Sequence, residues 1–244
     1  MTSLLDQISH RLPRGIREAL LGNSRQDLLS RVTDTLVVFG DELLHAESRR
    51  SHRIAPADRS STEGNIDAAA VAEAAKHLLA AADSERSILL LLAPSEFLAT
   101  EQHMPGLSGA NLISAITLQQ ESILPACDEA LALAVSDGGT DGNRLALWIR
   151  QARLTALFDA FTSQGLPLAA LAPRTLALVQ SAQAYLLLDD DGRDTTFIRT
   201  RGGVLEQWLQ IQNAELGEPA FAEQWQEQLA AFEAEARRTL TAVQ

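Results

Sequence analysis

The sequence has a single cysteine, Cys127, and no unbroken apolar run near the ~20 residues that span a bilayer. One thiol cannot form an internal disulfide, so the chain fits a reducing compartment and the cytoplasm is expected. The N-terminus lacks the basic segment followed by an apolar stretch that marks a secretory signal. These absences predict a soluble protein that is not exported.

Basic residues are also scarce, since 32 acidic residues face 20 basic ones and the formal net charge is −12. This charge argues against binding nucleic acid or anionic lipid through a general electrostatic surface. A local basic patch is still present in residues 49–65, a stretch rich in Ser and Arg that predicts a mobile surface loop. Its arginines form either a solvated surface or a contact for an acidic partner protein. They are Arg49, Arg50, Arg53 and Arg59.

The residue patterns of catalytic and metal sites are missing as well. The five histidines have no metal-ligand spacing among themselves or with Cys127. Cys127 lies beside Asp128 and Glu129, whose carboxylates disfavour the reactive thiolate. Ser95 and Ser108 lack the glycine pattern of a nucleophile elbow. The sequence therefore predicts no catalytic residue, no cofactor and no metal site, and thus a protein that is not an enzyme.

What the sequence does contain is an alternation of strand and helix signals, most clearly in residues 87–136. The apolar run of residues 88–93, closed by Pro94, predicts a buried strand, and residues 96–103 predict a second one. A helix is expected from Ser108 to Leu124. Gln119 and Gln120 lie on or beside its apolar face, where they would contact either another domain or a partner groove.

The flanking segments continue the alternation. Before this stretch, the patterns predict two short helices in residues 1–21, a meander of strands in 27–45 and an Ala-rich helix in 66–82. After it, they predict a strand at 144–149, a helix at 151–164 ended by Gly165, a short strand at 166–171 and a helix from Pro173 to about residue 184. A hairpin around Asp189–Asp194 and a helix at 218–242 close the chain.

Two motifs carry a resemblance to a known group of proteins. The run LLLLAPSEFLATEQHMPGLSGANLISAITLQQESILPACDEALALAV and the later run RLALWIRQARLTALFDAFTSQGLPLAALAPRTLALVQ resemble the cytoplasmic actin-like domains of GspL proteins of type II secretion. They also resemble the PilM and MshI proteins of type IV pilus assembly. The resemblance covers roughly residues 31–240. The matching residues are Leu92, Pro94, Met104, Pro105, Glu121, Ile123, Leu124, Pro125, Trp148, Leu154, Phe158, Gly165, Leu166, Pro173 and Leu176.

The resemblance implies an α/β protein with a degenerate actin-like fold, an inserted α/β subdomain and a reduced second lobe. The corresponding division is a first subdomain with an N-terminal helical arm in residues 1–93, the inserted subdomain in 94–172, and a connecting helix and second lobe in 173–244. We expect one mixed sheet from the N-terminal segment together with residues 88–93, and another from residues 96–171.

Actin-like ATPases hold phosphates on two glycine-containing hairpins, and this sequence departs from that pattern at both. The first position, near Val32-Thr33-Asp34-Thr35, has no glycine, and the second has one glycine among Asp189, Asp190, Asp191 and Asp194. Because four carboxylates would repel a triphosphate, the second position is interpreted as a solvated hairpin.

The resemblance then implies a non-catalytic adaptor that links a secretion or pilus motor ATPase to inner-membrane assembly proteins. The alternative is a nucleotide-binding, ATP-dependent pilus assembly protein. GspL proteins continue from this domain into a membrane helix, so the chain is expected to be either peripheral to the inner membrane or the soluble part of an anchored protein. Binding to nucleic acid is not expected, and a homodimer stays open.

Overall fold

The computed structural model describes residues 32–55, 66–79, 86–124, 129–135, 142–175, 185–191, 194–201 and 204–212. The strands are β1 (Asp34–Phe39), β2 (Glu42–His45), β3 (Arg50–Arg53), β4 (Ile88–Leu92), β5 (Leu98–His103), β6 (Leu131–Val135), β7 (Asn143–Arg150), β8 (Leu168–Pro173), β9 (Tyr185–Asp190), β10 (Asp194–Arg201) and β11 (Val204–Gln212). The helices are α1 (Ala68–Leu78), α2 (Gly109–Leu118), α3 (Gln120–Ile123) and α4 (Gln151–Ser163). A 3₁₀ turn, Pro94–Glu96, follows β4.

Several predicted features lie outside the described residues. They are the helices in residues 1–21, Arg59 and the rest of 56–65, Cys127, the helix beyond Thr175 and the helix in 218–242.

The described strands of the first sheet have the order β3-β2-β1-β4-β8. Strand β4 runs parallel to β1, with Leu36 opposite Leu90, and β2 is antiparallel to β1. A parallel pair needs a crossover, and α1 lies in that connection with Asp67 accepting a hydrogen bond from the backbone N–H of Ala69. Four of the five residues of β4 are buried, which explains its continuous apolar sequence.

Helix α4 ends as its glycine predicts. Gly165 has φ of +71°, the backbone N–H of Leu166 donates to the carbonyl of Phe161 at 2.9 Å, and that of Gly165 donates to Thr162 at 2.9 Å. This pair of hydrogen bonds is a Schellman motif, which satisfies carbonyls that the last turn leaves open. Leu157, Phe158 and Phe161 are buried along one face, as the spacing predicts.

The second sheet, in the described residues, has the order β5-β7-β6. Its pairs are antiparallel, with Leu98 opposite Trp148 and Leu133 also opposite Trp148, so the expectation that residues 96–103 and 144–149 share a sheet is confirmed. The indole of Trp148 is fully buried, and its Nε1–H donates to Thr100 Oγ1 at 2.9 Å.

One strand lies in a different sheet from the one expected. Strand β8, predicted to belong with residues 96–171, instead lies beside β4 in the first sheet, and the backbone N–H of Ile88 donates to the carbonyl of Pro167 at 3.0 Å. A strand that is apolar on both faces is typical of the interior of a sheet, where it has a hydrogen-bonded neighbour along each edge. Strand β1 lies along one edge of β4, and β8 takes the other.

The third described sheet has the order β11-β10-β9. The hairpin of β9 and β10 is predicted correctly, whereas β11 is not predicted. A register shift opposite Arg199 and Thr200 leaves Glu206 of β11 opposite no residue of β10. This bulge breaks the period-two pattern by which a strand is recognised. Ile198 of this sheet and Leu145 of β7 form a buried cluster, against which Leu147, Leu187 and Trp208 pack.

Two further expectations are wrong locally. The helix expected from Ser108 to Leu124 is interrupted at Gln119, whose N–H donates to Ile116 in a tighter three-residue step, so α2 and α3 are separate. Part of the loop expected in residues 49–65 is strand β3, which has four exposed residues and therefore no apolar signal. Its main-chain pairing with β2 alone makes it a strand.

The chain divides into two compact units. One contains residues 1–92, 108–114 and 152–172, and the other contains residues 93–107, 115–151 and 173–244. The division into residues 1–93, 94–172 and 173–244 stays a prediction.

Candidate interaction site

The turn between β1 and β2 is the first hairpin of the described chain, and it differs from the glycine-free hairpin that the sequence predicts. The residues proposed for that hairpin, Val32 to Thr35, precede the turn and include the start of β1. The turn itself is Gly40-Asp41, so the first hairpin does contain a glycine. Gly40 has φ of +54°, and a Cβ added there would meet open space, so the turn dihedral is what requires glycine.

At the start of β1, the Asp34 carboxylate is surrounded by donors from the chain itself. Oδ1 lies 3.1 Å from His45 Nε2, and Oδ2 lies 3.2 Å from Arg86 Nε and accepts a hydrogen bond from Thr33 Oγ1 at 2.7 Å. The Asp34 side chain is 13% exposed. This carboxylate therefore fastens the beginning of β1 to the end of β2 and to the segment before β4.

The turn after β2 closes the same polar cluster. Both carboxylate oxygens of Glu47 accept from the backbone N–H of Thr35, at 2.9 and 3.0 Å, and Oε2 lies 3.0 Å from His45 Nε2. His45 Nδ1 lies 2.8 Å from Ser48 Oγ. The carboxylates of Asp34 and Glu47 thus both lie near His45 Nε2, and that of Glu47 also binds the Thr35 amide. These contacts stabilise the turn after β2. In the described part of the chain, no group of three His, Cys, Asp or Glu side chains is arranged to hold a metal ion.

The aspartate-rich hairpin between β9 and β10 is the turn to which the resemblance assigns the second phosphate position, and its interpretation as a solvated hairpin is wrong. Asp189 receives two hydrogen bonds from the Arg174 guanidinium, from Nε at 2.7 Å and from Nη2 at 2.5 Å. The two side chains are only 4% and 10% exposed. This is a buried, bidentate ion pair.

The other side of the same hairpin is bound by hydrogen bonds. Ser95 Oγ donates to a carboxylate oxygen of Asp191, whose other oxygen accepts from the backbone N–H of Asp194 at 2.8 Å. Asp194 is buried, and its Oδ2 accepts from Gln210 Nε2 at 2.9 Å. Asp189, Asp191 and one carboxylate oxygen of Asp194 accept hydrogen bonds from donors of their own unit, which the linear sequence does not show.

The arginines expected to bind a partner lie on an exposed surface at β3. We call Arg49, Arg50, Ser51, His52 and Arg53 the basic edge. Arg49 occupies the left-handed region at φ of +56°, just before the strand, and every residue of β3 is exposed. Arg53 Nε lies 2.8 Å from Asp41 Oδ2, in a pair whose side chains are 78% and 63% exposed. The basic edge thus brings together three of the predicted residues.

The other two predicted residues lie elsewhere in the chain. Gln119 is exposed at the break between α2 and α3, and Gln120 is half-buried at the start of α3. Gln119 therefore needs no buried hydrogen-bond partner, which is the property that made it a candidate. Leu118, directly before the break, is 86% exposed.

Sequence reasoning missed one element of the basic edge. The His52 ring stacks on that of His77 in the last turn of α1, with ring centroids 4.8 Å apart and planes 21° from parallel. Residues 52 and 77 are too far apart in the sequence for any local pattern to link them. Within the described residues, no helix combines the length and apolar character needed to cross a membrane.

No family model and no curated protein matches the sequence. Similar solved structures do exist. The PilM-PilN type IV pilus biogenesis complex is similar with a TM-score of 0.57 and 17% identity over 87% of this chain and 74% of the other. The cytoplasmic domain of EpsL, an inner-membrane component of the type II secretion system of Vibrio cholerae, gives a TM-score of 0.48 and 15% identity over 75% and 72%. A Bacteroides thetaiotaomicron protein of actin-like ATPase fold gives 0.39 and 9% over 78% and 74%.

The likeness to the PilM-PilN structure shows the fold of this chain. The chain is a mixed α/β protein with a reduced actin-like fold. The resemblance that the two sequence motifs carry is therefore confirmed as a likeness of fold.

Proposed function

We propose that this chain is a non-catalytic adaptor on the cytoplasmic side of a type II secretion or type IV pilus assembly platform. In this role it links the motor ATPase to inner-membrane assembly proteins. The two sequence motifs and the fold shared with a pilus biogenesis complex support the setting. The arrangement of the two hairpins supports the absence of catalysis.

The observation that carries the proposal is the state of the aspartate-rich hairpin. A nucleotide with its magnesium ion would need free carboxylate or backbone groups at this turn. Here Asp189 is held by Arg174, Asp191 by Ser95 and the Asp194 amide, and Oδ2 of the buried Asp194 by Gln210. Freeing Asp189 would break its buried ion pair with Arg174, at a cost of several kcal/mol.

The first hairpin supports the same conclusion. Gly40 and Asp41 form a two-residue turn in which Phe39 is already paired with Glu42, and the Asp41 carbonyl accepts from the Ile54 N–H at 2.7 Å. So short a turn presents few backbone amides to a ligand, whereas a phosphate cradle uses several in succession.

The test combines a nucleotide assay with a binding assay on purified protein. We expect no ATP turnover and no increase in thermal stability with Mg-ATP, since a ligand at a hundred times its Kd would add about 2.7 kcal/mol. We also expect the chain to capture the purified motor ATPase and a purified inner-membrane assembly protein of the same system together.

The alternative function makes the opposite prediction in the same assays. ATP turnover that is lost in an Asp190→Asn variant of unchanged stability would contradict the adaptor and favour a nucleotide-dependent assembly protein. Asp190 is the exposed aspartate of the hairpin, so its replacement disturbs the fold least. Failure to capture either protein would also contradict the adaptor.

A further inference from the structure

We propose that the outer edge of β3 binds an extended acidic segment of a partner protein, which adds to the first sheet as a further strand. The proposal rests on the adaptor function and names the surface and chemistry of one of its contacts. It is carried by the main-chain geometry of β3, its exposure and its charge.

The main-chain groups of β3 alternate between its two edges. The Ile54 N–H donates to the Asp41 carbonyl, and the register places His52 opposite Leu43 and Arg50 opposite His45. In an antiparallel pair, residues two apart direct their N–H and C=O to the same side. Those of Arg50, His52 and Ile54 therefore face β2, and those of Ser51 and Arg53 face outward.

Among the described strands, β3 is the end of the first sheet and pairs with β2 only. Its two outward N–H and two outward C=O groups are the template that an added strand uses. All four of its side chains are exposed, so a second strand can approach from the edge without displacing packed residues.

The charge of this edge identifies the occupant. Charged side chains on an edge strand can protect a sheet from aggregation, and acidic residues outnumber basic ones by 32 to 20 in this chain. The basic edge instead has arginine at three of five positions and no acidic residue. Opposite charges on neighbouring strands attract each other, so an acidic strand is favoured over a neutral one.

The two faces of the strand refine this description. Arg50 and His52 are on the face where His52 stacks on His77 of α1, whereas Ser51 and Arg53 are on the other, because side chains alternate along a strand. A matching segment therefore has carboxylates on both faces. The Arg53 pair with Asp41 is largely exposed, so it can exchange for a partner carboxylate at little cost.

A nucleic acid or an anionic membrane fits these features less well. Neither uses the outward main-chain groups of Ser51 and Arg53, which are the groups that an added strand would bind. Arginines on opposite faces of one strand also cannot lie together on a flat charged surface. The experiment therefore has to distinguish binding of the acidic peptide from binding of a nucleic acid or an anionic membrane.

The experiment uses the full chain and a fluorescein-labelled peptide of threonine and glutamate with carboxylates on both faces when extended. Ser51→Pro removes one outward N–H without touching the pairing to β2, because proline is tolerated on an edge strand at such a position. Ser51→Ala is the matched control. We expect Ser51→Pro to weaken peptide binding about tenfold, the equivalent of one hydrogen bond of about 1.4 kcal/mol, and Ser51→Ala to leave it unchanged.

A second measurement does not depend on any variant folding. Hydrogen exchange on the wild-type chain should show that peptide slows the amides of Ser51 and Arg53, while those of Arg50 and His52 are already protected by β2. An Arg50→Glu, Arg53→Glu double variant should lose peptide binding.

Three results would overturn the strand-addition site. They are equal binding by the Ser51→Pro and Ser51→Ala variants, no change at the Ser51 and Arg53 amides, and preference for phosphatidylserine vesicles or single-stranded DNA over the peptide. If the peptide does not bind while the chain still captures the motor ATPase, this site is wrong and the adaptor function stands. If the peptide binds while neither platform protein is captured, the adaptor function is wrong.

Discussion

The β2–β3 hairpin and the β9–β10 hairpin are both charged, and they differ in whether their charged side chains are exposed or buried. The first is basic and exposed along all of β3, whereas the second is acidic and has Asp194 and the Asp189–Arg174 pair buried. Both look like polar turns in the sequence. The difference teaches that a charged hairpin becomes part of the interior when a donor from another segment reaches it, as Arg174 and Ser95 do.

This difference sets the energetic scale of each hairpin. An exposed pair such as Arg53 with Asp41 contributes little, because water and salt screen it and both side chains lose freedom. A buried pair such as Arg174 with Asp189 contributes modestly as a pair, but the loss of one partner leaves a charge without compensation. Substitutions in the two hairpins should therefore differ several-fold in their effect on stability.

The largest effect is expected for Arg174→Ala. It leaves the Asp189 carboxylate, which is 10% exposed, without its bidentate partner, so the free energy of unfolding should fall by about 3–5 kcal/mol. Urea unfolding measures this. The matched control is the double variant Arg174→Met, Asp189→Leu, which should recover much of the loss because no buried charge remains. A loss below about 1 kcal/mol for Arg174→Ala would show that the pair is solvated.

A smaller effect is expected for Asp191→Ala. This change removes the acceptor of both the Ser95 hydroxyl and the Asp194 amide, and should cost about 1–3 kcal/mol. Ser95→Ala removes the hydroxyl contact alone and should cost less. A double-mutant cycle over the two positions should give a coupling energy of at least about 0.5 kcal/mol. Additive losses would show that the two side chains do not interact.

The smallest effect is expected for Arg53→Ala, at about 0.2–1 kcal/mol, since its pair with Asp41 is exposed. The loss should shrink further in 1 M salt, where the Debye length is about 3 Å. Arg50→Ala, on the same strand, serves as the control and should change stability by less than about 0.5 kcal/mol. If Arg53→Ala lowered the free energy of unfolding as much as Arg174→Ala, the two hairpins would not differ in how strongly their charged pairs stabilise the fold.

The elements recognised from the sequence are those whose own residues decide their structure. Strand β4 is continuously apolar because it is buried, and α4 has both an apolar face and a terminal Gly165. Strands β3 and β11 were missed because pairing with a neighbour determines them: one has no apolar residue and the other contains a bulge. Assigning β8 to its sheet required knowing which edge of β4 was open.

The site shows the same division. Arg49, Arg50 and Arg53 are close in the sequence, so their clustering could be predicted, but the strand that arrays them could not. The aspartates of the second hairpin were recognised, whereas their burial depends on Arg174, fifteen residues before Asp189. The prediction of a glycine-free first hairpin is wrong because it takes no account of strand pairing. The register of β1 with β2 locates the turn at Gly40.

Trp148 is buried in the second unit, and the other fluorescent side chains of the protein are also unevenly distributed between the two units. The three tryptophans, at positions 148, 208 and 225, and the only tyrosine, Tyr185, all fall outside the ranges of the first unit, residues 1–92, 108–114 and 152–172. Intrinsic fluorescence therefore reports on the second unit alone, with Trp148, enclosed and hydrogen-bonded to Thr100, as an emitter at short wavelength. Far-ultraviolet circular dichroism detects helices and strands of both units. Coincident denaturation curves from the two signals would mean that the units unfold together, and separated curves would reveal a state in which one has opened while the other persists.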